Sequence, residues 1–322
     1  MILETITIAC VALLLDFVFG DPRNRYHPTA WIGSIIAYLT PFAKNSNPLY
    51  EKLGGIFVVI IPCFVLVMLL IVLDLSLSFE TNYVTIIASI VVSAILLKMT
   101  IAIRGMENHA MLVVRSLTQN NIDSARENLS MIVKRNTKSL DKNHVISGVL
   151  ESISENTVDG ITGPLFYYGL FGLFGAFVYR IVNTADSMIG YKNSIFKNIG
   201  LFGAKFDTLL NYVPSRLTGI MMVIAAIMLK QNWRDCYTIM VRDGKKTESP
   251  NAGFPMAALA GALGTKFEKI DHYNLGDIET ELTVEHVYSA INMMKLTSVL
   301  FVGLVTIPLI VILSYFGWWI HA

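Results

Sequence analysis

Two stretches of this chain run for more than twenty residues without a charge, Leu53 to Leu73 and Leu296 to Ile320. A helix needs about 20 mostly apolar residues to cross the hydrocarbon core of a bilayer, and a soluble domain has little use for two of them. The first contains one proline, Pro62, which a spanning helix tolerates. The second ends in Trp318 and Trp319, as an interfacial aromatic belt would. Val84 to Ile103 is a third candidate, with Lys98 near enough to its end to snorkel to water. The first twenty residues are a fourth: they carry Glu4 and Asp16, with no basic leader and no small-residue cleavage site. They are expected to form an anchor helix rather than a signal peptide. Composition agrees. Charged residues are 15% of the 322, against about 25% in soluble domains, hydrophobic residues are 54%, and mean hydropathy is +0.56.

Two further apolar stretches are weaker. Ile161 to Tyr179 contains Pro164, Gly169, Gly172 and Gly175, and Leu217 to Leu229 has thirteen residues. Lys and Arg number four in 21–52, none in 74–83, seven in 104–160, five in 180–216 and eight in 230–295. The positive-inside rule then puts 74–83 outside and the other long connections in the cytoplasm. That pattern is met if both termini lie outside, four helices cross, and the two weak stretches are re-entrant or interfacial. The expected fold is an all-α integral membrane protein of about four transmembrane helices in the cytoplasmic membrane. Residues 1–103 would form a membrane region with three spans. Residues 104–160 would be a cytoplasmic helical insert with candidate N-caps at Asn121 and Asp141. Residues 161–295 would hold re-entrant or interfacial helices and catalytic loops, and 296–322 a last span.

With 25 basic and 24 acidic side chains the net charge is +1, which offers no footprint for nucleic acid. Cys10, Cys63 and Cys236 form no CxxC pair and read as buried, unreactive thiols.

Polar signatures beyond an anchor's needs recur along the chain. LDFVFGDPRNRYHP, Leu15 to Pro28, sets Asp16 at a membrane edge before turn residues Gly20-Asp21-Pro22; on its own it reads first as a helix stop with a solvated acid. In ESISENTVDG, Val145, Ile146, Val149, Leu150 and Ile153 form an apolar arc, and Glu151, Glu155 and Asp159 fall opposite at i, i+4 and i+8. Three stacked like charges repel. A cation or basic substrate would relieve that, and a solvated face is the plain alternative. NTADSMIGYKN puts Asn183 and Asp186 on one helical face with Tyr191 and Lys192 beyond. FDTLLNYVPSRL spaces Asp207 and Asn211 one turn apart, ahead of Arg216. SPNAGFPMAALAGALG breaks the helix around Asn251, leaving backbone N–H groups to cradle an anion. Hard carboxylate and amide oxygens suit Mg²⁺. The six scattered histidines show no zinc pairing, and no P-loop, dinucleotide fingerprint or nucleophile elbow is present.

Taken in order, LDFVFGDP with HPTAWIG, ESISENTVDGITGPLFYYGLFG, VNTADSMIGYKN, FDTLLNYVPSRLTG and SPNAGFPMAALAGALG resemble the adenosylcobinamide-phosphate synthase family of cobalamin biosynthesis (CobD/CbiB), over about Leu15 to Gly264. The resemblance implies a membrane ligase that uses ATP. It would join adenosylcobyric acid, through its ring-D propionate, to (R)-1-aminopropan-2-ol or its O-phosphate. There is one departure: the family pattern Gly-Arg-Asp-Thr is met here by Lys134-Arg135-Asn136-Thr137, which removes an acid but keeps Arg135 and Thr137 for phosphate.

A carboxylate and an ammonium do not condense unaided in water. Activation as an acyl phosphate concentrates charge that Mg²⁺ and cationic side chains would stabilise. On the resemblance, Glu151, Glu155, Asp159, Asp186 and Asp207 are the metal-nucleotide candidates, with Glu155 and Asp159 closest to the chemistry. Arg135, Thr137, Lys192 and Arg216 are the phosphate binders, Asn183, Asn211 and Asn251 substrate contacts, and Asp21 or His27 the amine base. The implied partners are the two substrates, the lipid bilayer, and a second copy or neighbouring corrinoid-pathway membrane enzymes, with the active site on the cytoplasmic side. A transporter, a catalytically silent scaffold and a Mg²⁺-dependent membrane transferase stand as rival readings.

Overall fold

The computed structural model describes residues 2–22, 25, 27–77, 82–278 and 280–318. Trp319 and Ile320 of the last expected span, His321, Arg23 of the first basic loop and positions 78–81 of the connection without Lys or Arg lie outside these residues. The helices in chain order are α1 (Ile2–Phe19), α2 (Pro28–Ala43), α3 (Pro48–Leu77), α4 (Tyr83–Lys98), α5 (Ile103–Thr118), α6 (Ile122–Ser130) and α7 (Lys142–Thr157). A π-helical turn, Val158–Thr162, leads into α8 (Gly163–Ile189), followed by α9 (Leu201–Leu210), α10 (Tyr212–Met228), α11 (Trp233–Asp243) and α12 (Gly253–Leu263). A hairpin of β1 (Phe267–Lys269) and β2 (Tyr273–Leu275) precedes α13 (Val284–Phe301), a second π turn at Val302–Thr306, and α14 (Ile307–Tyr315).

The chain is an all-α membrane protein by the character of these helices. Among the described residues five are long and apolar enough to cross a bilayer: Ile2–Phe19, Pro48–Leu73, Tyr83–Thr118, Lys142–Ile189 and Val284–Tyr315. A bent pair, Leu201–Leu210 with Tyr212–Met228, would make a sixth. The count exceeds the four read from sequence because Lys142–Ile189 passes on length and composition, yet within it α8 turns back on itself as a re-entrant segment would: the Tyr167 and Tyr179 rings stack at 5.4 Å, although twelve residues of straight helix would hold them about 18 Å apart. Pro164 follows directly on the π turn, whose wider hydrogen-bond spacing accommodates the missing backbone N–H in a helix that runs on from α7. Gly169 and Gly175 stay helical, and the only non-helical residues in α8 are Phe171 and Gly172, the latter at φ 60°, ψ −151°.

The chain divides into two compact units, one made of 1–101, 163–210 and 302–322, the other of 102–162 and 211–301. In the first, Ile32 and Ile36 of α2, Val58, Val59 and Leu70 of α3, and Phe177, Ile181, Val182, Ala185 and Ile189 of α8 form a buried core. Gly55 permits α3 to reach it, since a Cβ there would lie 2.0 Å from the Ile199 carbonyl. The other side of α3 exposes Phe57, Ile60, Phe64, Met68 and Val72. An apolar stripe of this length suits lipid rather than water.

In the second unit α12 is apolar on every side and buried throughout from Pro255 to Leu263. It packs among α7, α10, α11 and α13 and, at eleven residues, is too short to span. A Cβ on Gly261 would meet the Asp235 carbonyl at 2.3 Å, so the alanine-glycine pattern of α12 is what lets α11 approach. The α7 arc of Val145, Ile146, Val149, Leu150 and Ile153 is buried as its spacing predicts. Both expected N-caps are formed: Asn121 Oδ1 accepts from Ser124 N at 3.0 Å and Asp141 Oδ1 from His144 N at 2.9 Å. The antiparallel hairpin, with Phe267 opposite Leu275, had no signal in the sequence reading.

Candidate functional site

The first motif forms a buried charge cluster in the first unit. Asp16 is wholly buried one turn before the end of α1, and Lys98, the last residue of α4, reaches it at 3.3 Å and Asp21 at 2.7 Å. Two expectations are corrected here: Asp16 is not solvated, and Lys98, only 6% exposed, does not snorkel. Packing of α1 against α4 places the ammonium between the two carboxylates, where leaving either charge unmatched would be costly. His27 caps α2, its Nδ1 accepting from Thr29 N at 3.2 Å, while its Nε2 lies 3.5 Å from Asp21 Oδ1. The cap therefore assigns the neutral ring proton to Nε2, facing Asp21. Burial raises the Asp21 carboxyl, but hydrogen bonds from His27 and Lys98 outweigh it and hold the acid below its ordinary value.

Also in the first unit, Asn183 Nδ2 donates to Asp207 Oδ1 at 3.1 Å, joining α8 to α9 and the third motif to the fourth. Asp186 packs its carboxylate over Gly190, where a Cβ would lie 2.1 Å from Oδ1. Lys192 is exposed in the loop that follows.

In the second unit Glu151 is 6% exposed, and its two oxygens receive four donors. Arg135 grips it with Nη2 to Oε1 at 2.9 Å and Nη1 to Oε2 at 3.4 Å. Ser147 Oγ donates to Oε1 at 2.9 Å and Tyr273 Oη to Oε2 at 2.8 Å. Ser147 in turn accepts from Glu268 N at 2.9 Å, so β1 and β2 both close on this carboxylate. Gly148 makes room: a Cβ there would sit 2.7 Å from Arg135 Nη2. Burial first, then Glu151 beside it and Glu155 further off, push the Tyr273 phenol up. Glu151 and Arg135, expected to serve metal and phosphate, thus serve each other. Glu155 and Asp159 are half-buried, Asp159 within the π turn, a geometry frequent at functional positions. Thr137 is buried, and Asn136 closes an Asx turn by accepting from Lys138 N at 3.0 Å.

The fourth and fifth motifs meet at Arg216. Its guanidinium lies 3.7 Å from the Tyr212 ring centroid and 4.4 Å from that of Phe254. Nη1 donates to the Tyr212 carbonyl at 2.6 Å, to Ser215 Oγ at 3.2 Å and to Asn251 Oδ1 at 2.9 Å. Asn251 is 4% and Asn211 3% exposed. The N–H groups of Asn251 and Ala252, expected to cradle an anion, each reach Ser249 Oγ at 3.4 Å.

Sequence reasoning missed Lys98, Tyr273, Phe254 and a second network around Asp243. That wholly buried carboxylate accepts from Arg242 Nε and Nη2 at 2.7 and 2.8 Å, from Lys246 at 2.6 Å and from Gly276 N at 2.9 Å. Burial raises it, but these donors prevail and hold it well below the usual carboxylate range. Among the described residues no group of three or more His, Cys, Asp or Glu side chains is close enough to hold a metal ion. Mg²⁺ takes one or two protein carboxylates beside substrate phosphates, so Glu155 and Asp159 fit that modest demand and the saturated Glu151 does not.

Several long apolar helices, with polar clusters buried and mutually bonded beside them, define a multi-pass membrane protein. The profile of the CobD/Cbib protein family matches residues 9–302. Similar proteins include the "Probable cobalamin biosynthesis protein CobD" of Methanothermobacter thermautotrophicus, 39% identical over 93% of this chain and 96% of that protein. The "Cobalamin biosynthesis protein CobD" of Dehalococcoides mccartyi is 37% identical over 85% of this chain and 88% of its own. That of Clostridium perfringens is 34% identical over 92% and 94%. No solved structure matches. The chain belongs to the CobD/Cbib family.

Proposed function

We propose that this chain is the amide ligase of the later cobalamin pathway, joining adenosylcobyric acid to (R)-1-aminopropan-2-ol or its O-phosphate at the expense of ATP. A role in cobalamin biosynthesis follows from family membership; the reaction itself is our reading. The observation that carries it is the fixing of Arg216 by Tyr212, Phe254 and Asn251. A membrane scaffold gains nothing from a cation oriented in this way, whereas transfer through an acyl phosphate needs one aimed at developing negative charge. Bound Mg²⁺ would supply charge neutralisation on the nucleotide phosphates. Glu155 and Asp159 are the residues that would hold it.

The incoming ammonium must lose a proton before it attacks. Asp21 is held ionised by Lys98 and His27 and is a weak base at neutral pH. His27 can take the proton at Nδ1 only by releasing the Thr29 N–H. The pair is therefore better suited to holding the ammonium than to deprotonating it quickly, and the pH–rate profile of His27→Gln reads this directly. Asn183, Asp186, Asp207, Asn211 and Lys192 remain substrate or nucleotide contacts in this proposal.

Purified protein in nanodiscs, given adenosylcobyric acid, aminopropanol O-phosphate and Mg-ATP with single omissions, tests the reading by mass spectrometry. The expected result is an amide-linked corrinoid that requires ATP. Corrinoid binding without product would return the chain to the scaffold or transporter class. Flux across proteoliposomes would decide between those two. Glu155→Gln and Asp159→Asn should each lower turnover most at limiting Mg²⁺, and wild-type turnover in both would remove the acidic face from the mechanism.

A further inference from the structure

Arg216 is half-buried and held by several neighbours, yet among the described residues no carboxylate meets its charge. Two rings pack against the guanidinium, Tyr212 at 3.7 Å and Phe254 at 4.4 Å from its carbon, which restricts its motion. Every hydrogen bond it makes leaves from Nη1, to the Tyr212 carbonyl, Ser215 Oγ and Asn251 Oδ1, which limits its rotation. All three acceptors are neutral. Arg135 and Arg242 each grip a carboxylate through two nitrogens. Arg216 has no carboxylate partner among the described residues, and its Nε and Nη2 make no hydrogen bond there. Nε and Nη2 are the edge that pairs bidentately with two oxygens of one carboxylate or phosphate. With two rings packed against the cation and Nη1 anchored, the Nε–Nη2 edge is the part of the guanidinium left for a ligand's oxygens. Helix α12, which begins two residues after Asn251 with no side-chain cap on Ala252, adds a field of the same sign.

We infer that the Nε–Nη2 edge of Arg216 is a preset fork for one oxyanion of a soluble substrate, with Tyr212, Phe254 and Asn251 as its positioning residues. This rests on the ligase reading for the choice of substrates: the oxyanion is the corrinoid propionate, the aminopropanol phosphate or a nucleotide phosphate. A lipid phosphate offers the same chemistry and must be separated from them.

The test is binding, free of turnover. Full-length protein in an uncharged detergent is titrated calorimetrically with adenosylcobyric acid, aminopropanol O-phosphate and Mg-ATP separately, and its retained phosphatidylglycerol is measured by native mass spectrometry. Arg216→Lys keeps the charge and loses the fork. It is expected to weaken one soluble probe by about tenfold or more while the other two stay within about twofold. The probe that changes names the substrate. Phe254→Leu, which keeps the arginine but removes one of the two rings, is expected to weaken the same probe and leave the others. If wild type binds the probes and Arg216→Lys binds them equally, the fork is overturned and the ligase reading survives. If only lipid retention falls, the site belongs to a headgroup and the inference is overturned. If wild type binds none of the three, the ligase reading and the inference fall together.

Discussion

Lys98 is the residue on which the first unit's polar interior depends. It lies between Asp16 and Asp21, and Asp16 has no exposure to water. Removing one partner of a buried pair costs about 3–5 kcal/mol because the other charge stays behind. Lys98→Met should therefore lower the melting temperature in detergent sharply, and adding Asp16→Asn should restore much of the loss. No recovery in the double variant would mean that Lys98 acts through packing alone. Asp243 gives the matching case in the second unit, with a pH sign that can be worked out. Its folded-state pKa is depressed, so the stability it contributes is present above the unfolded value of about 4 and lost as pH falls through the folded one. Asp243→Asn should be less stable than wild type at neutral pH, and the gap should narrow as pH drops below about 4. A gap constant from pH 7 to pH 3 would show that the carboxylate's charge is not what holds this corner.

These residues also mark how far the sequence could be read at this scale. Asp16, Asp21, His27, Glu151 and Arg216 stood out because each lies in a dense local motif. That Lys98 partners Asp21 and Tyr273 partners Glu151 did not, because the first pair lies 77 positions apart and the second 122. Charge spacing along one helix placed Glu151 with Glu155 and Asp159 but carries no information on a guanidinium arriving from another segment. That is why Glu151 read as a metal ligand, although its oxygens are filled by Arg135, Ser147 and Tyr273.

At the scale of elements, α8 shows that composition announced a break but not which residue makes it. Proline and glycine lower helix propensity one residue at a time, but their effect depends on position. Pro164 is absorbed by the π turn before it, and Gly163 is required where the returning arm of α8 packs back, since a Cβ there would lie 2.3 Å from the Tyr179 ring. Only Gly172 sits in backbone space that other residues avoid, at φ 60°, ψ −151°. Gly172→Ala is expected to cost about 1–3 kcal/mol or to straighten α8. Gly169→Ala, whose Cβ meets nothing closer than 3.4 Å, should change little. Thermal melts of the two variants side by side check this, and equal losses would mean the kink is not held by Gly172. The long uncharged runs, by contrast, were legible outright: Leu53 to Leu73 lies inside α3, and the last apolar run is covered by α13 and α14 as far as they extend. The β1–β2 hairpin was invisible, since three-residue strands carry no periodicity.

At the scale of the whole chain, charge decides what helix length leaves open. If the five long helices cross and the pair α9–α10 does not, residues 229–283, with seven Lys and Arg, fall on the same side as 74–82, which has none. The positive-inside rule disfavours that arrangement. Parity then requires α8 and the α9–α10 pair to behave alike: both cross, or both return to the side they entered. Either choice keeps 20–47, 119–141 and 229–283 together, with three, four and seven basic residues. The two differ only in residues 190–200, which carry Lys192 and Lys197. The kink at Gly172 and the bend between α9 and α10 are what two returning segments need, and ligation with ATP needs Asn183 and Asp207 within reach of the cytoplasm. A reporter inserted between Tyr191 and Asn198 in the full chain should therefore read cytoplasmic, as should one between Lys245 and Glu248. If the first reads external while the second stays cytoplasmic, α8 and α9–α10 both cross. The Asn183–Asp207 pair would then lie on the far side from the nucleotide and drop out of the proposed chemistry.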